Sequence, residues 1–151
     1  MTTATAETTA PPSYLESGQK GLLGWIFSTD HKRIAVLYLV TMVAMFLIAV
    51  VVGIFMRLEQ MSMGETMMKA QTYNALFTLH GVIMVFLFVV PGLPAVFGNF
   101  FLPLLIGAKD VSFPRINLLS WYCFVVGAGL AVLSLFTGGG PADTGWTFYV
   151  P

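Results

Sequence analysis

The chain has 151 residues, of which 57% are hydrophobic and only 9% charged, whereas a soluble domain carries roughly 45–50% apolar and about 25% charged residues. Polar side chains this scarce cannot cover the surface of a water-soluble domain. Seven basic residues balance seven acidic ones, so nothing predicts binding to nucleic acid, and membrane lipid is the expected surrounding.

The N-terminal segment, 1–24, precedes the first long apolar stretch. Its first twenty residues are rich in Thr, Ala and Pro and contain no apolar run long enough for the core of a secretory signal peptide. We therefore interpret 1–24 as a disordered cytoplasmic tail and 25–151 as the membrane domain.

The first uncharged stretch, Ile34 to Met56, has 23 residues and predicts one membrane-spanning helix. At roughly 1.5 Å per residue, such a helix is about 34 Å long, enough to cross a hydrocarbon core of about 30 Å. We predict a helix over about 34–56.

The second stretch, between Lys69 and Lys109, holds 39 uncharged residues, more than one span needs and too few for two spans and a turn. It predicts a long, tilted helix over about 74–105. Three prolines fall inside it, and in lipid the carbonyls that they leave unbonded need partners from neighbouring helices, hydroxyls or water. The inner half is therefore expected to be kinked and packed against protein: Pro91, Pro94 and Pro103.

The third stretch, 116–142, predicts a helix over about 118–136 that ends at the run Gly138 to Pro141. Its single cysteine, Cys123, excludes an internal disulfide and is expected to be a small buried hydrophobe. A polar and aromatic tail, 143–151, follows. The predicted fold class is all-α transmembrane, with three transmembrane helices.

Basic residues are distributed unequally between the two sides of the membrane. With three spans, five of the seven share the side of the N-terminus: Lys20, Lys32, Arg33, Lys109 and Arg115. The positive-inside bias makes that side cytoplasmic. Hence Asp110 is expected to face the cytoplasm, and Arg57 and His80 are expected to lie towards the outer side.

Two ionisable residues on the outer side are candidates for a site. His80 would lie about six residues into the second helix, roughly 9 Å from its start. An imidazole at that depth needs a partner, either a carbonyl of a neighbouring helix or a metal or haem. Gly81 beside it leaves room for a flat macrocycle or for helix packing, and Arg57 is either an interfacial anchor or a donor to a buried carbonyl or propionate.

On the cytoplasmic side, Asp110 is either a turn residue paired with Lys109 or Arg115 or a collector of protons at a channel mouth. Asn99 and Asn117 flank it at two helix ends. Their amides either order water or hydrogen-bond across helices.

Five segments together resemble subunit I of the haem-copper oxidases, in one register from about Trp25 to the C-terminus. They are Ser28 to Arg33, Phe77 to Val85, Gly98 to Leu104, Ile106 to Asn117 and Gly145 to Tyr149. The resemblance implies that the three helices form the first quarter of a twelve-helix fold.

The resemblance assigns roles on the outer side to five residues. It implies that His80 is an axial ligand of a low-spin haem A, with Arg57 and Tyr73 at the haem periphery. A hydrogen bond from the Arg57 cation would raise the potential of that haem. Glu59 and Gly64 match positions that bind Ca²⁺ or Na⁺ in some members.

The resemblance also assigns four residues to a path for protons. The resemblance implies that Asp110 is the cytoplasmic mouth of a D-type proton pathway, that Asn99 and Asn117 order its water, and that Tyr38 lies close to it. The implied activity is that of a proton-pumping cytochrome c oxidase in a bacterial inner membrane.

The chain lacks the residues for a complete redox centre. Besides His80 it has only His31, which is expected to be interfacial and on the wrong side to reach the same haem. The other ligands, the high-spin haem and copper B are therefore expected in a partner polypeptide or in the remainder of a truncated subunit I, which is expected to work with subunits II and III.

The electron donor and two alternatives stay open. Cytochrome c is favoured over a quinol because the register places apolar or small residues where quinone contacts are expected: Ile48, Val52, Thr72 and Ala75. The first alternative is a non-catalytic subunit I-like assembly or structural protein. The second is a homodimeric cytochrome b in which two copies of His80 hold one haem.

Overall fold

The computed structural model describes residues 21–64, 67–137, 142 and 144–149. A short helix, α1 (Leu22–Ile26), precedes three long ones, α2 (His31–Glu59), α3 (Ala70–Leu105) and α4 (Pro114–Phe136), the last of which ends in a 3-10 turn. Each long helix is apolar and long enough to cross a membrane. The prediction of an all-α fold with three transmembrane helices is confirmed.

All three helices begin earlier than their apolar runs predict, because polar and charged residues can occupy the first turn of a helix. Helix α2 begins at His31 rather than near 34, since the side chain of Asp30 accepts a 2.8 Å hydrogen bond from the Lys32 N–H and caps the helix. Helix α3 begins at Ala70 rather than 74. Helix α4 begins at Pro114 rather than 118, because the φ angle of proline suits the first helical position.

Helix α1 begins inside the predicted tail and crosses its boundary, so regular structure begins before residue 25, while residues 1–20 lie outside the described part. Two side chains of the bundle hold α1 in place. Arg33 Nη1 donates to the Gly24 carbonyl at 3.3 Å, and the Tyr122 hydroxyl donates to the Ile26 carbonyl at 2.8 Å. The Arg33 guanidinium also lies 5.5 Å from the centre of the Trp25 ring.

The prolines of α3 change its hydrogen bonding. Two π-helical segments, 83–89 and 92–98, lie on either side of Pro91, and the second contains Pro94. The i→i+5 bonds of a π-helix keep the backbone bonded within α3 itself, whereas the sequence analysis expects partners from outside the helix. The expected packing against protein is found at Pro103, which is buried, and not at Pro94, which is exposed.

Helix α2 packs against both α3 and α4 through two apolar clusters. The first, near the start of α2, contains Ile34, Tyr38, Met42, Val96, Leu118 and Trp121. The second, further along, contains Ala49, Leu79, Ile83, Leu87 and Ala128. Most outer faces expose large apolar side chains, as expected for contact with lipid or with further helices. Cys123 also lies on an exposed face, so the expectation of a buried thiol is wrong for this bundle.

Candidate functional site

His80 lies ten residues after the start of α3, about 15 Å along the axis at ~1.5 Å per residue, and therefore deeper than the sequence analysis expects. Its Nδ1 is 2.9 Å from the carbonyl oxygen of Ala49 on α2. A carbonyl can only accept, so Nδ1 carries the proton and Nε2 keeps its lone pair. Histidines that bind metals have this arrangement, in which the second ring nitrogen donates to a carbonyl or carboxylate.

The C-terminal tail packs over the helix turn that carries His80. The Gly145 N–H donates to the Thr78 hydroxyl at 2.8 Å, and the Trp146 ring makes an edge contact with Phe86 at 6.2 Å. A Cβ added at Gly81 would lie 2.9 Å from the Trp146 Cβ. The space above Gly81 is therefore occupied by an indole and not left open to a macrocycle. No pattern in the sequence predicts this contact of Trp146.

Arg57 and Tyr73 come together at the outer end of the bundle through a residue that the sequence analysis missed. Arg57 Nη1 donates to Gln60 Oε1 at 3.3 Å, and Gln60 Nε2 donates to the Tyr73 hydroxyl oxygen at 2.5 Å. The guanidinium is exposed on this bundle. It can therefore still donate to an oxygen substituent presented from outside.

Glu59 is buried and bonded to the backbone of the loop that follows α2. Its Oε2 accepts from the N–H groups of Met67 at 2.8 Å and Met68 at 3.3 Å. Gly64, in the same loop, has a φ of 84°, a conformation that favours glycine. No cluster of three or more His, Cys, Asp or Glu lies among the described residues. The Ca²⁺ or Na⁺ site at Glu59 and Gly64 stays a prediction.

The partner of Asp110 is His31, from the first turn of α2. His31 Nδ1 lies 3.0 Å from Asp110 Oδ1, which also accepts the Val111 N–H at 2.7 Å. Within the described part of the chain, neither Lys109 nor Arg115 pairs with this carboxylate. Only 4% of His31 is exposed, so neighbouring parts of the bundle cover its side chain, and its position at the membrane interface stays a prediction. The prediction that both residues lie on the same side of the membrane was the available signal for their contact.

The polar side chains predicted near the proton path form one hydrogen-bonded line between α2, α3 and α4. The Tyr38 hydroxyl lies 2.8 Å from Ser120 Oγ, and Ser120 Oγ donates to the Asn117 carbonyl at 2.6 Å. Asn117 Nδ2 donates to Asn99 Oδ1 at 2.7 Å, and Asn99 Nδ2 donates to the Ala95 carbonyl at 2.7 Å. Three of these side chains are predicted from the sequence, whereas Ser120 is not.

A cavity of about 600 Å³ runs along this line and is lined by Tyr38, Asn99, Asn117 and Ser120. The rest of its lining is mostly apolar and includes Leu102 and Phe124, so the amide and hydroxyl groups form a polar strip along an otherwise apolar cavity. Val111 also lines it, so Asp110 lies one residue from its wall. Asp110 and His31 themselves line a second, polar cavity of about 430 Å³. The carboxylate thus lies between the loop surface and the interhelical cavity.

The sequence of the chain matches a known protein family. A family model described as cytochrome c and quinol oxidase polypeptide I matches residues 33–151. The chain belongs to this family. It is therefore part of a haem-copper oxidase subunit I, as the resemblance implies.

Curated relatives extend the similarity over the whole chain. A candidate cytochrome c oxidase subunit 1-beta of Streptomyces avermitilis is 42% identical over 151 residues, which are 100% of this chain and 27% of the relative. A cytochrome c oxidase subunit 1 of Alkalihalophilus pseudofirmus is 46% identical over 127 residues, 84% of this chain and 20% of that protein. A probable cytochrome c oxidase subunit 1-beta of Nocardia farcinica is 44% identical over 138 residues, which are 89% of this chain and 23% of that protein. The chain spans about a quarter of their length.

Membership in the oxidase subunit I family implies haem and copper cofactors and an oxidase complex with other subunits. The described residues can supply one ligand to a haem iron, because the hydrogen bond at His80 Nδ1 leaves the lone pair of Nε2 for a metal. They do not hold a complete copper centre, since no three His, Cys, Asp or Glu residues lie together among them. Further ligands have to come from other helices.

Proposed function

We propose that this subunit I chain acts within a terminal respiratory oxidase, a proton-pumping cytochrome c oxidase that reduces O2 to water. Its own part is to hold one side of the low-spin haem A through His80 and to admit protons through Asp110. The observation that carries the proposal is the match to the oxidase subunit I family, and the bond from His80 Nδ1 to the Ala49 carbonyl is compatible with it. That bond selects the tautomer that an axial ligand requires.

On the electron side, the haem supplies a one-electron redox centre when it is bound. His80 would provide one axial nitrogen, and Arg57 and Tyr73 would bond its periphery. Two hydrogen bonds support this role of Arg57 and Tyr73, because through them Gln60 holds both side chains at one end of the bundle. The second axial ligand, the high-spin haem and copper B belong to the remaining subunit I helices, with subunits II and III completing the complex.

On the proton side, Asp110 would accept protons from the cytoplasm and pass them towards the cavity along Asn99, Asn117 and Tyr38. The wall of that cavity supports the proposal, because its amides and hydroxyls are already hydrogen-bonded across three helices. We assign His31 to the same entrance, where its contact with Asp110 orients the carboxylate. Transfer of protons across the membrane would follow from coupling to the redox centres on other helices.

Cytochrome c is the proposed electron donor. Val52 is buried and Ile48 packs against the second apolar cluster, and because both side chains are hydrocarbon, neither offers a polar contact to a quinol head group. Oxidation of reduced cytochrome c and of ubiquinol by the purified complex tests this choice. Oxidation of the quinol alone would identify the quinol-oxidising alternative.

Replacement of His80 tests the ligand directly. In His80→Ala, the low-spin haem signal of the assembled complex should be lost, because an alanine cannot supply the axial nitrogen. The reduced-minus-oxidised spectrum of the purified complex measures this. A normal spectrum would refute the ligand role and support a non-catalytic subunit I-like protein.

Replacement of Asp110 tests the proton path. Asp110→Asn keeps the size and hydrogen bonding of the side chain but removes its capacity to release a proton. Turnover and proton uptake should fall several-fold while the haem spectrum stays unchanged. The outcome against the proposal is unchanged proton uptake, measured with the enzyme reconstituted in vesicles.

A further inference from the structure

The imidazole of His80 lies against a glycine of the neighbouring helix. A Cβ built on Gly53 of α2 would lie 3.2 Å from His80 Cε1, 3.5 Å from Nδ1 and 4.0 Å from Nε2. Carbon atoms prefer separations of about 3.5–4.0 Å. A methyl group at residue 53 would therefore push the ring away from α2 by a few tenths of an ångström.

The same face of α2 also binds the ring through its backbone. Ala49 lies four residues before Gly53, one helical turn away on the same face. Its carbonyl oxygen has two lone pairs, so it can accept its intrahelical N–H and the His80 Nδ1–H together. Ala49 is fully buried, which excludes water as a competing donor. One turn of α2 thus provides both the hydrogen bond and the space for the imidazole.

We propose that Gly53 is a positioning residue: its missing side chain sets how closely the His80 imidazole approaches α2, and through this the strength of the Nδ1–Ala49 hydrogen bond. This inference rests on the proposed role of His80 as a haem ligand. A stronger hydrogen bond at Nδ1 makes the imidazole a better electron donor. Stronger donation stabilises the oxidised iron and lowers the midpoint potential of the low-spin haem.

The experiment uses the assembled oxidase with Gly53→Ala. The displaced ring should weaken its bond to Ala49, so the midpoint potential of the low-spin haem should rise and its reduced absorption band should shift, with haem content retained. The matched control is Gly92→Ala, whose new Cβ would also approach a side-chain atom at 3.2 Å, Met42 Cε. In that control, the midpoint potential and the absorption band should stay as in the wild type, because the added methyl group does not contact His80.

The outcomes separate this inference from the proposed function. If His80→Ala removes the low-spin signal and Gly53→Ala leaves potential and band unchanged, the positioning role is overturned while the ligand role stands. If His80→Ala keeps the signal, the proposed function itself fails. An equal shift in Gly53→Ala and Gly92→Ala would also overturn the positioning role, since it would report a general change of packing.

A double variant covers the case in which Gly53→Ala prevents assembly. If the added methyl acts through the imidazole, His80→Ala with Gly53→Ala should assemble to the same level as His80→Ala alone, since the small side chain removes the clash. A further loss of assembly in the double variant would overturn the inference, because residue 53 would then act on other parts of the bundle. Blue-native electrophoresis of solubilised membranes measures assembly in all four forms.

Discussion

At the scale of single residues, the two histidines, at different ends of the bundle, have different hydrogen-bond partners. His80 donates to a backbone carbonyl and keeps a nitrogen for a ligand, whereas His31 is almost fully buried beside a carboxylate, with Nδ1 3.0 Å from Asp110. The difference lies in the partner. A carbonyl can only accept, so it selects one tautomer of the neutral imidazole, whereas a carboxylate accepts from either a neutral or a charged imidazole.

The hydrogen-bonded line can be tested by removing a single oxygen atom, the hydroxyl of Tyr38. Tyr38→Phe removes the hydroxyl that contacts Ser120 and should slow proton uptake by the oxidase several-fold, with a loss of about 1 kcal/mol or less in stability. Proton uptake by the reconstituted enzyme measures the effect. Tyr122→Phe is the matched control, because its hydroxyl bonds the Ile26 carbonyl outside the cavity. Equal proton uptake in the two variants would count against a role of Tyr38 in the path.

At the scale of helices, α3 connects the two functional ends. His80 precedes its π-helical segments and Asn99 follows them. Because a π-helix takes more residues per turn than an α-helix, these segments rotate Asn99 relative to His80 compared with a regular helix. This rotation contributes to the direction in which Asn99 meets Asn117 on α4. Prolines predict a disturbance here, but not its form.

The start of α2 can be tested at its cap. Asp30→Ala removes the side-chain acceptor of the Lys32 N–H and should cost about 1 kcal/mol of stability, within the usual range of 0.5–2 kcal/mol for a lost cap. Asp30→Asn should retain most of it, because an amide oxygen caps as well. Thermal unfolding of the purified complex compares the three forms. Equal stability of the alanine variant and the wild type would contradict the capping role.

At the scale of the whole molecule, the orientation in the membrane decides which site faces which compartment. The loop between α3 and α4 lies at the same end of the bundle as the start of α2, as the contact of His31 with Asp110 requires. The excess of basic residues at that end predicts that it faces the cytoplasm. His80 would then lie towards the outer side, away from the proton entrance.

Cysteine labelling tests this orientation. Cys123 is exposed and is first replaced by serine, and single cysteines are then introduced as Met63→Cys and Ser112→Cys, both at exposed positions on opposite ends. A membrane-impermeant maleimide added to intact spheroplasts should label residue 63 and not residue 112. The reverse pattern would invert the topology and contradict uptake of cytoplasmic protons at Asp110.

The sequence by itself determined the class of protein, the three spans and several candidate residues of the two proposed sites. Composition and the length of uncharged runs suffice for spans, because lipid imposes the same requirement on every spanning helix. The motifs around His80 and Asp110 sufficed for the family, and the family comparison confirmed it. Helix boundaries were less accurate, because caps and the backbone, rather than charge, decide where a helix begins.

Only the tertiary structure decided which residues meet. The contacts of His80 with Ala49 and Gly53, of His31 with Asp110, and of Tyr38 with Ser120 each join two helices far apart in the chain. No period or motif within one helix encodes the face that its neighbour presents. These pairs depend on how α2 packs between α3 and α4, because packing selects the backbone oxygens, glycines and hydroxyls that lie within a few ångströms of each functional side chain.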